Sequence, residues 1–150
     1  MTGTRGALLS PDELSAWKGM LEAHSTLVAR LDAELTREHD LPLTSYEVLM
    51  YLVDADRHRL RMGELADRLL LSRSGVTRLV DRLERQGLVE RQPCEDDARG
   101  FYAVLTQAGQ RKVEAARPTH LAGVREHFLG RLDAGERKTL SGIWPKILED

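Results

Sequence analysis

The chain has 150 residues, of which 41% are hydrophobic and 31% are charged, and its formal net charge is −2 at pH 7. This length is that of one domain. The slightly negative net charge excludes a protein that coats nucleic acid with an overall basic surface, but it allows a local basic surface. Basic residues are in fact concentrated, because residues 57–91 hold nine arginines against five acidic residues and the rest of the chain is acidic.

The N-terminal part predicts two helices. SPDEL, at residues 10–14, has the features of a helix start, because Ser10 can cap the helix and Pro11 suits its first position. Apolar residues then recur at steps of three and four as far as about residue 39, in a stripe formed by Leu14, Trp17, Leu21, Leu27, Val28, Leu31 and Leu35. This stripe is longer than one small core needs. After DLPLT, Thr44 or Ser45 is expected to cap a second helix.

The central part predicts two short helices followed by a hairpin. GELADRLLL, at residues 63–71, follows a short extended piece, and Ser72 is expected to cap the next helix. Gly87 ends that helix, because a left-handed conformation is needed there. Two strand candidates follow, at residues 88–92 and 101–105, joined by the turn-forming segment PCEDDARG.

The C-terminal part predicts two further helices. Thr106 is expected to cap a fifth helix, which runs to about residue 129 with a kink at Pro118. Asp133 is expected to start a sixth, which carries a second apolar stripe at residues 140–148. The expected fold is therefore mainly α (α+β), with about six helices and one small β-hairpin.

The two central helices and the hairpin have the pattern of a winged helix-turn-helix. The second of these helices would pack its apolar face on the first and expose a face rich in arginine and hydroxyl groups. The candidates for DNA contact on it are Ser72, Arg73, Ser74, Thr77, Arg78 and Arg82. Arginine can bond bidentately to guanine in the major groove, while serine and threonine can bond to phosphate or bases. A solvated amphipathic helix would also carry arginines, but the hairpin that follows directly favours DNA binding.

Residues 62–109, MGELADRLLLSRSGVTRLVDRLERQGLVERQPCEDDARGFYAVLTQAG, resemble the DNA-binding core of the multiple-antibiotic-resistance regulator (MarR) family. The hairpin fits that family's pattern through Asp97, Arg99, Leu105, Thr106 and Gly109. Two helices before this core and two after it extend the resemblance over nearly the whole chain. The resemblance implies a single domain, residues 1–150, in which residues of about 10–39 and 107–148 dimerise and about 44–105 form the DNA-binding lobe.

The same resemblance implies a function. It indicates a homodimeric, repressor-like regulator that binds a pseudo-palindromic operator in double-stranded DNA and is released by a small aromatic or lipophilic ligand or by an oxidant. The arginine matching Arg99 would enter the minor groove from the wing tip, and Asp97 would brace its side chain by an ion pair. The neighbouring acids are expected to face away from DNA or to pair with Arg91 and Arg99.

An effector pocket would lie between the first, second and fifth helices. Its lining is expected to include Trp17, His24, Tyr46 and Met50, although for each of these residues a place in the core is favoured over a ligand role. No cofactor is expected, and no metal site is predicted, because none of the five histidines shows the His-x3-His spacing that places two imidazoles on one helix face.

Three other interpretations stay open. Cys94 could make the chain a redox-responsive regulator of the same fold, but three acids follow it and disfavour the reactive thiolate, so a turn residue of the wing is favoured. A metal-responsive regulator would need ligands from two helices or chains, for example His39 with an acid. A helical interaction module without DNA binding would leave the arginine-rich helix unexplained.

Other classes are excluded. The sequence lacks a glycine-rich phosphate loop, a nucleophile elbow and paired carboxylates in an apolar setting, so no enzyme is expected. The single cysteine excludes an intramolecular disulfide. Because no run approaches the ~18 apolar residues of a membrane span, and the N-terminus lacks a signal-peptide core, we expect a cytoplasmic protein with no membrane partner.

Overall fold

The computed structural model describes residues 7–149, which form six α-helices and one three-stranded antiparallel sheet. In chain order the elements are α1 (Pro11–His39), α2 (Leu43–Asp54), β1 (Arg59–Arg61), α3 (Met62–Leu69), α4 (Arg73–Arg85), β2 (Val89–Cys94), β3 (Asp97–Leu105), α5 (Gln107–His127) and α6 (Ala134–Leu148). Single 3₁₀ turns precede β1 and α6, and α5 continues through Pro118 as one element. The mainly α winged helix-turn-helix fold is therefore confirmed.

Local capping confirms four of the predicted helix starts. The Ser10 hydroxyl accepts from the backbone N–H of Glu13, whose carboxylate in turn accepts from the backbone N–H of Ser10. Side-chain oxygens of Ser72, Thr106 and Asp133 accept in the same way at the starts of α4, α5 and α6. These bonds satisfy N–H groups that a helix leaves without an internal partner, so three-residue patterns were enough to locate them.

The predicted start of α2 is wrong. The helix begins at Leu43, before Thr44 and Ser45, and neither of these residues caps it. Instead the backbone N–H of Leu43 donates to Asp32 Oδ1 of α1 at 2.8 Å. A side chain from another helix thus satisfies the first N–H of α2, which no local pattern indicates.

The sheet differs from the predicted two-stranded hairpin. β1 pairs with β3, with Arg59 opposite Val104, so the strand order is β1-β3-β2. β2 and β3 form the wing, and the turn between them comprises only Glu95 and Asp96. Residues 93–94 and 97–100, which were predicted as loop, are strand. The pairing register shifts between Pro93 and Cys94, and this irregularity lets the strand accommodate a proline.

The hydrophobic core lies in the lobe formed by α2, α3, α4, the sheet and the first half of α5. Leu49, Leu65, Val80, Ala103 and Val113 are among its fully or almost fully buried members. The terminal helices contribute little, because a single residue of α1 is buried and none of the described residues of α6 is. The lobe that carries α4 and the wing is thus the well-packed part of the molecule.

A close backbone contact fixes α5 against the end of α4. Gly87 follows α4 with φ +74°, as predicted, and its carbonyl accepts from the Thr106 hydroxyl at 2.7 Å. A Cβ atom on Gly109 would lie 2.1 Å from the carbonyl oxygen of Leu88 and 2.7 Å from Leu105 Cδ1. Only glycine lets α5 approach this closely, which explains why the wing pattern ends in that residue.

Gly109→Ala is therefore expected to destabilise the fold. The added methyl group must push backbone apart, and forced overpacking of this kind costs about 1–3 kcal/mol. Thermal denaturation should show a lowered midpoint, while Gly63→Ala, where a Cβ atom meets nothing within 4 Å, should leave it nearly unchanged. An equal midpoint for the two variants would show that α5 can shift to accept the methyl group.

The apolar stripes of the two terminal helices remain exposed in the single chain. Among residues 7–149, nine of the fifteen exposed large hydrophobic residues lie on α1 or α6, and they are Leu14, Trp17, Met20, Leu21, Val28, Ile143, Trp144, Ile147 and Leu148. Contiguous apolar surface of this kind marks an interaction site. Within residues 7–149, no helix is both long enough and apolar enough to cross a membrane.

Candidate nucleic-acid interface

α4 turns one face to the core and the other to solvent. Its buried residues are Val76, Leu79, Val80 and Leu83. The six candidates for DNA contact at this helix are all exposed, namely Ser72, Arg73, Ser74, Thr77, Arg78 and Arg82. The periodicity of the apolar residues thus predicted the exposed face correctly.

Two hydroxyl groups on this face already make bonds within the helix. Ser72 Oγ accepts from the backbone N–H of Gly75 at 3.1 Å, and Thr77 Oγ1 donates to the carbonyl of Arg73 at 2.9 Å. Ser72 Oγ and Ser74 Oγ lie 3.1 Å apart. Ser72 can therefore donate to a ligand while it caps α4, whereas Thr77 would use its free lone pairs as an acceptor.

Ion pairs divide the arginines near this surface into two groups. Arg61 pairs with Asp96 at 3.0 Å, and Arg91 pairs with Asp81 at 2.6 Å and with Glu84 at 3.1 Å. Among the described arginines that form no ion pair are Arg73, Arg78, Arg82 and Arg99. The guanidinium group keeps its charge in proteins, so these four remain available to a polyanion.

Arg99 does not lie at the wing tip. It is the third residue of β3, after the two-residue turn at Glu95 and Asp96, and it is exposed. The predicted loop placed it at the tip because the hairpin was expected to end at residue 92. In the structure Arg99 projects from the flank of the wing, where it lines the same groove as Arg73 of α4.

The predicted ion pair between Asp97 and Arg99 is not formed. Asp97 Oδ1 accepts from the backbone N–H of Arg99 at 3.0 Å instead, and no ion pair joins the two side chains, both of which the structure describes. A Cβ atom on Gly100 would lie 2.9 Å from Asp97 Oδ2, so a larger residue there would press on the carboxylate that makes this bond. The carboxylate braces the backbone of the wing and leaves the guanidinium free.

The other acids of the wing are only partly neutralised. Asp96 reaches Arg61 through both carboxylate oxygens, and this pair raises the pKa of the Arg61 guanidinium. Glu95 is exposed in the turn. Arg91, which was expected to pair with these acids, pairs with α4 instead. Cys94 is the last residue of β2 and is 5% exposed, so the prediction of an accessible turn residue is wrong.

A groove of about 790 Å³ separates α4 from the wing. Its lining includes Arg73 and Thr77 from α4, Arg91 from β2, and Arg99 and Phe101 from β3. The two free guanidinium groups in this set come from different elements and face one space. The lining also holds Glu64, Asp81 and Asp97, so the groove as a whole is of mixed charge. Its two free guanidinium groups can contact the phosphate backbone or enter a groove of a duplex.

Two of the four expected pocket residues lie together between α2 and α5. The ring of Tyr46 is centred 4.6 Å from that of His120, and Arg117 Nη2 donates to Met50 Sδ at 3.6 Å. Burial raises the pKa of Tyr46, an effect that Arg117 opposes, and burial lowers the pKa of His120. Neither Arg117 nor His120 was among the expected pocket residues, because nothing in the local pattern of α5 marks them as pocket residues.

The other two expected pocket residues are on the solvent-exposed part of α1. Trp17 is 53% exposed, and His24 is also exposed. A single chain therefore gives these two side chains no enclosed surroundings, so His24 is not a core residue of the single chain. Their place in a lining stays a prediction for the dimer.

Potential metal ligands come together elsewhere than expected. His39 bonds with Thr119 Oγ1 at 2.7 Å and joins no group of ligands. Among the described residues, ligand atoms of Glu34, Glu126 and His127 lie within 4.8 Å of one another. His127 and Glu34 already bond each other and so tie α5 to α1. The sequence interpretation missed this group because Glu34 lies 93 positions before His127.

Comparison with known protein families gives a consistent result. A family model described as MarR family matches residues 39–100. The HTH-type transcriptional repressor YetL of Bacillus subtilis is 35% identical over 79 residues, which make up 53% of this chain and 47% of YetL. The chain thus spans about half the length of that relative.

Two solved structures are similar over almost their whole length. AbsC, a MarR family transcriptional regulator from Streptomyces coelicolor, is 33% identical with a TM-score of 0.89, over 95% of this chain and 96% of that one. Sco3205, a MarR family transcriptional regulator from the same organism solved in complex with DNA, is 34% identical with a TM-score of 0.90, over 95% of this chain and 90% of that one.

Proposed function

Because the chain belongs to the MarR family of transcriptional regulators, we propose that it is a cytoplasmic repressor that binds a pseudo-palindromic operator as a homodimer. Residues of about 10–39 and 107–148 would form the dimer, and residues of about 44–105 would bind DNA. A small aromatic or lipophilic effector would release the dimer from its operator. The similar proteins are transcriptional regulators, so the chain is assigned to that class and not to the enzymes.

The observation that carries the proposal is the set of unpaired arginines around the groove between α4 and the wing. Arg73 and Arg99 line that groove, and Arg78 and Arg82 extend the basic surface along α4. The N-terminal turns of a recognition helix fit the major groove, and a wing can reach the minor groove beside it. That Sco3205 was solved in complex with DNA supports this use of the shared fold.

The proposed contacts differ in kind along α4. Arg73 and Arg78, near the N-terminal end, are assigned to base edges, because arginine pairs bidentately with guanine. Arg82, one turn further, is assigned to phosphate together with the hydroxyl groups of Ser72 and Ser74. Thr77, whose hydroxyl hydrogen is already donated to the Arg73 carbonyl, is assigned to a base edge, where its oxygen can accept from an amino group. On the wing, Arg99 is assigned to the minor groove and Asp97 to the support of its backbone.

The effector site is proposed between α2 and α5, at the cluster of Tyr46, Met50, Arg117 and His120. Arg117 Nε and His120 Nδ1 are buried and have no hydrogen-bond partner among the described residues. Buried nitrogen atoms of this kind are usually hydrogen-bonded, and an aromatic effector with an acceptor oxygen would satisfy them. Trp17 and His24 are proposed to join the lining only once the dimer has formed.

A salt titration tests DNA binding. On a random duplex, where no base contact is specific, the four arginines of each of two protomers can all contact phosphate, which gives about eight phosphates and a slope of log K against log salt of about −7. Affinity for a random duplex, measured by fluorescence anisotropy at several salt concentrations, gives this slope. A protein that fails to bind any duplex at low salt would instead be an interaction module that uses its helices alone.

The operator itself can be found by selection from a random-sequence pool. A dimer with two recognition helices should enrich an inverted repeat with half-sites about one helical turn apart, or 10–10.5 base pairs. Enrichment of single, unrepeated sites would contradict the dimeric arrangement while leaving DNA binding intact.

A further inference from the structure

Arg91 links the wing to the recognition helix. It lies in β2, and its side chain is 20% exposed. Its guanidinium contacts three groups of α4, namely Asp81 Oδ1 at 2.6 Å, Glu84 Oε1 at 3.1 Å and the carbonyl of Thr77 at 3.2 Å. Its backbone N–H also donates to Glu84 Oε2 at 2.9 Å. One residue of the wing thus makes four polar contacts with one face of α4.

These contacts set Arg91 apart from the unpaired arginines of the same groove. Two carboxylates more than offset its single charge, and both of its terminal nitrogens donate to α4. A guanidinium held in this way has little charge to offer to phosphate. Its planar fork suits a fixed geometry with two carboxylates, which the single ammonium of a lysine does not reproduce.

The link extends from Arg91 to Arg99 through the wing. Arg91 pairs with Ala103 in the β2–β3 ladder, and Arg99 lies four residues before Ala103 on the same strand. At the far end of the wing, Asp96 is held by Arg61 of β1. The wing is therefore fastened at its base to α4 and at its tip to β1.

We propose that Arg91 is a positioning residue that sets the spacing between the major-groove contacts of α4 and the minor-groove contact of the wing. This inference rests on the proposed DNA-binding function. Without the link, Arg73 and Arg99 would each still be present, but binding would first have to order the wing against α4. That ordering cost reduces affinity, and pre-organisation removes it.

Arg91→Met tests the proposal, because methionine keeps an unbranched apolar stem and loses all guanidinium bonds. We expect operator affinity to fall about tenfold, within the range of coupling energies between residues in one network. The slope of log K against log salt should stay at the wild-type value, because no phosphate contact is lost. A slope smaller by about one would show that Arg91 contacts phosphate directly, and would overturn the proposal.

A double-mutant cycle separates positioning from general destabilisation. Arg99→Ala should weaken operator binding by a smaller factor in the Arg91→Met background than in the wild type, because an unfastened wing no longer holds residue 99 in place. Equal factors in the two backgrounds would overturn the proposal. Glu84→Gln, which keeps a hydrogen-bond acceptor and removes one charge of the link, gives the same comparison if Arg91→Met does not fold.

Hydrogen exchange provides a readout that does not require DNA. Amides of residues 91–99 should exchange faster in Arg91→Met, and those of α5 should not change, if Arg91 holds the wing against α4. Unchanged exchange in the wing would contradict the link itself. Failure of the wild type to bind any duplex, with faster exchange in the variant, would instead overturn DNA binding and confine Arg91 to a structural link.

Discussion

Ile147→Glu is expected to convert the proposed dimer into a monomer at micromolar concentration. Operator binding should weaken about 10²- to 10⁴-fold, the range by which the affinity of two linked binding modules exceeds that of one. Ile147 is 61% exposed in the single chain, on the last turns of α6. Next to it, Trp144 is 39% exposed, and Trp17 and Leu21 of α1 are 53% and 47% exposed. A second copy of the chain would cover these side chains, and a carboxylate placed among them would be desolvated without a partner.

Sedimentation velocity measures the oligomeric state, and Leu70→Glu is the matched control. Leu70 is 91% exposed but lies between α3 and α4, away from both terminal stripes, so this variant should remain dimeric. The monomeric Ile147→Glu variant should keep its α4 and wing, and should therefore still bind one half-site weakly. A wild-type chain that sediments as a monomer would remove the dimer from the proposal and leave the two stripes to another partner.

The fold could be predicted where its signals are local. Ser10 with Glu13, Ser72 with Gly75, and Thr106 form bonds over three residues, and each of these helix starts was found from the sequence. The start of α2 was not found, because its first N–H bonds to a side chain eleven residues earlier. β1 was seen only as a short extended piece, since its partner on β3 is 45 positions away at Arg59 and Val104.

In the candidate interface, too, local features could be predicted from the sequence and tertiary contacts could not. The exposed face of α4 follows from the helical period, and the arginines on that face were named correctly as exposed residues. Which arginines are free depends on tertiary contacts. Arg91 is held by Asp81 and Glu84, and Arg61 by a wing acid, so two apparent members of the basic surface are neutralised. The arginines and acids are visible in the sequence, but their pairing could not be predicted, because it depends on how a helix and a strand pack side by side.

The length of the wing strands also escaped prediction, and this matters for Arg99. Pro93 and the acids after it read as a loop, since proline normally ends a strand. The irregular pairing at Pro93 and Cys94 allows β2 to continue, and the turn shrinks to two residues. Arg99 consequently lies within β3, in the irregular stretch between the Cys94–Asp97 and Pro93–Phe101 pairs, with its backbone N–H bonded to Asp97. A side chain on a braced strand is better ordered before binding than one on an eight-residue loop would be.

Arg99→Ala is expected to weaken operator binding by about 1–3 kcal/mol, as for other specific arginine contacts to bases, and to relax the preference for A·T-rich steps at the edge of each half-site. The matched control is Arg125→Ala, which removes the same charge from an exposed position near the far end of α5. Competition binding at ~0.15 M salt, where exposed charges further apart than ~8 Å are largely screened, compares the two. Equal affinities for the two variants would mean that Arg99 makes no specific contact in a groove of the operator.

Two substitutions of Asp97 then decide how the wing supports Arg99. Asp97 Oδ1 accepts from the backbone N–H of Arg99 at 3.0 Å, and asparagine keeps an oxygen that can accept this bond. Asp97→Asn should therefore bind the operator at least as tightly as the wild type, because it keeps the brace and removes a negative charge from a surface that faces phosphate. Asp97→Ala should bind more weakly, because the strand loses the brace. If Asp97→Asn weakens binding as much as Asp97→Ala does, the charge itself is required, and an ion pair with the guanidinium must form on DNA.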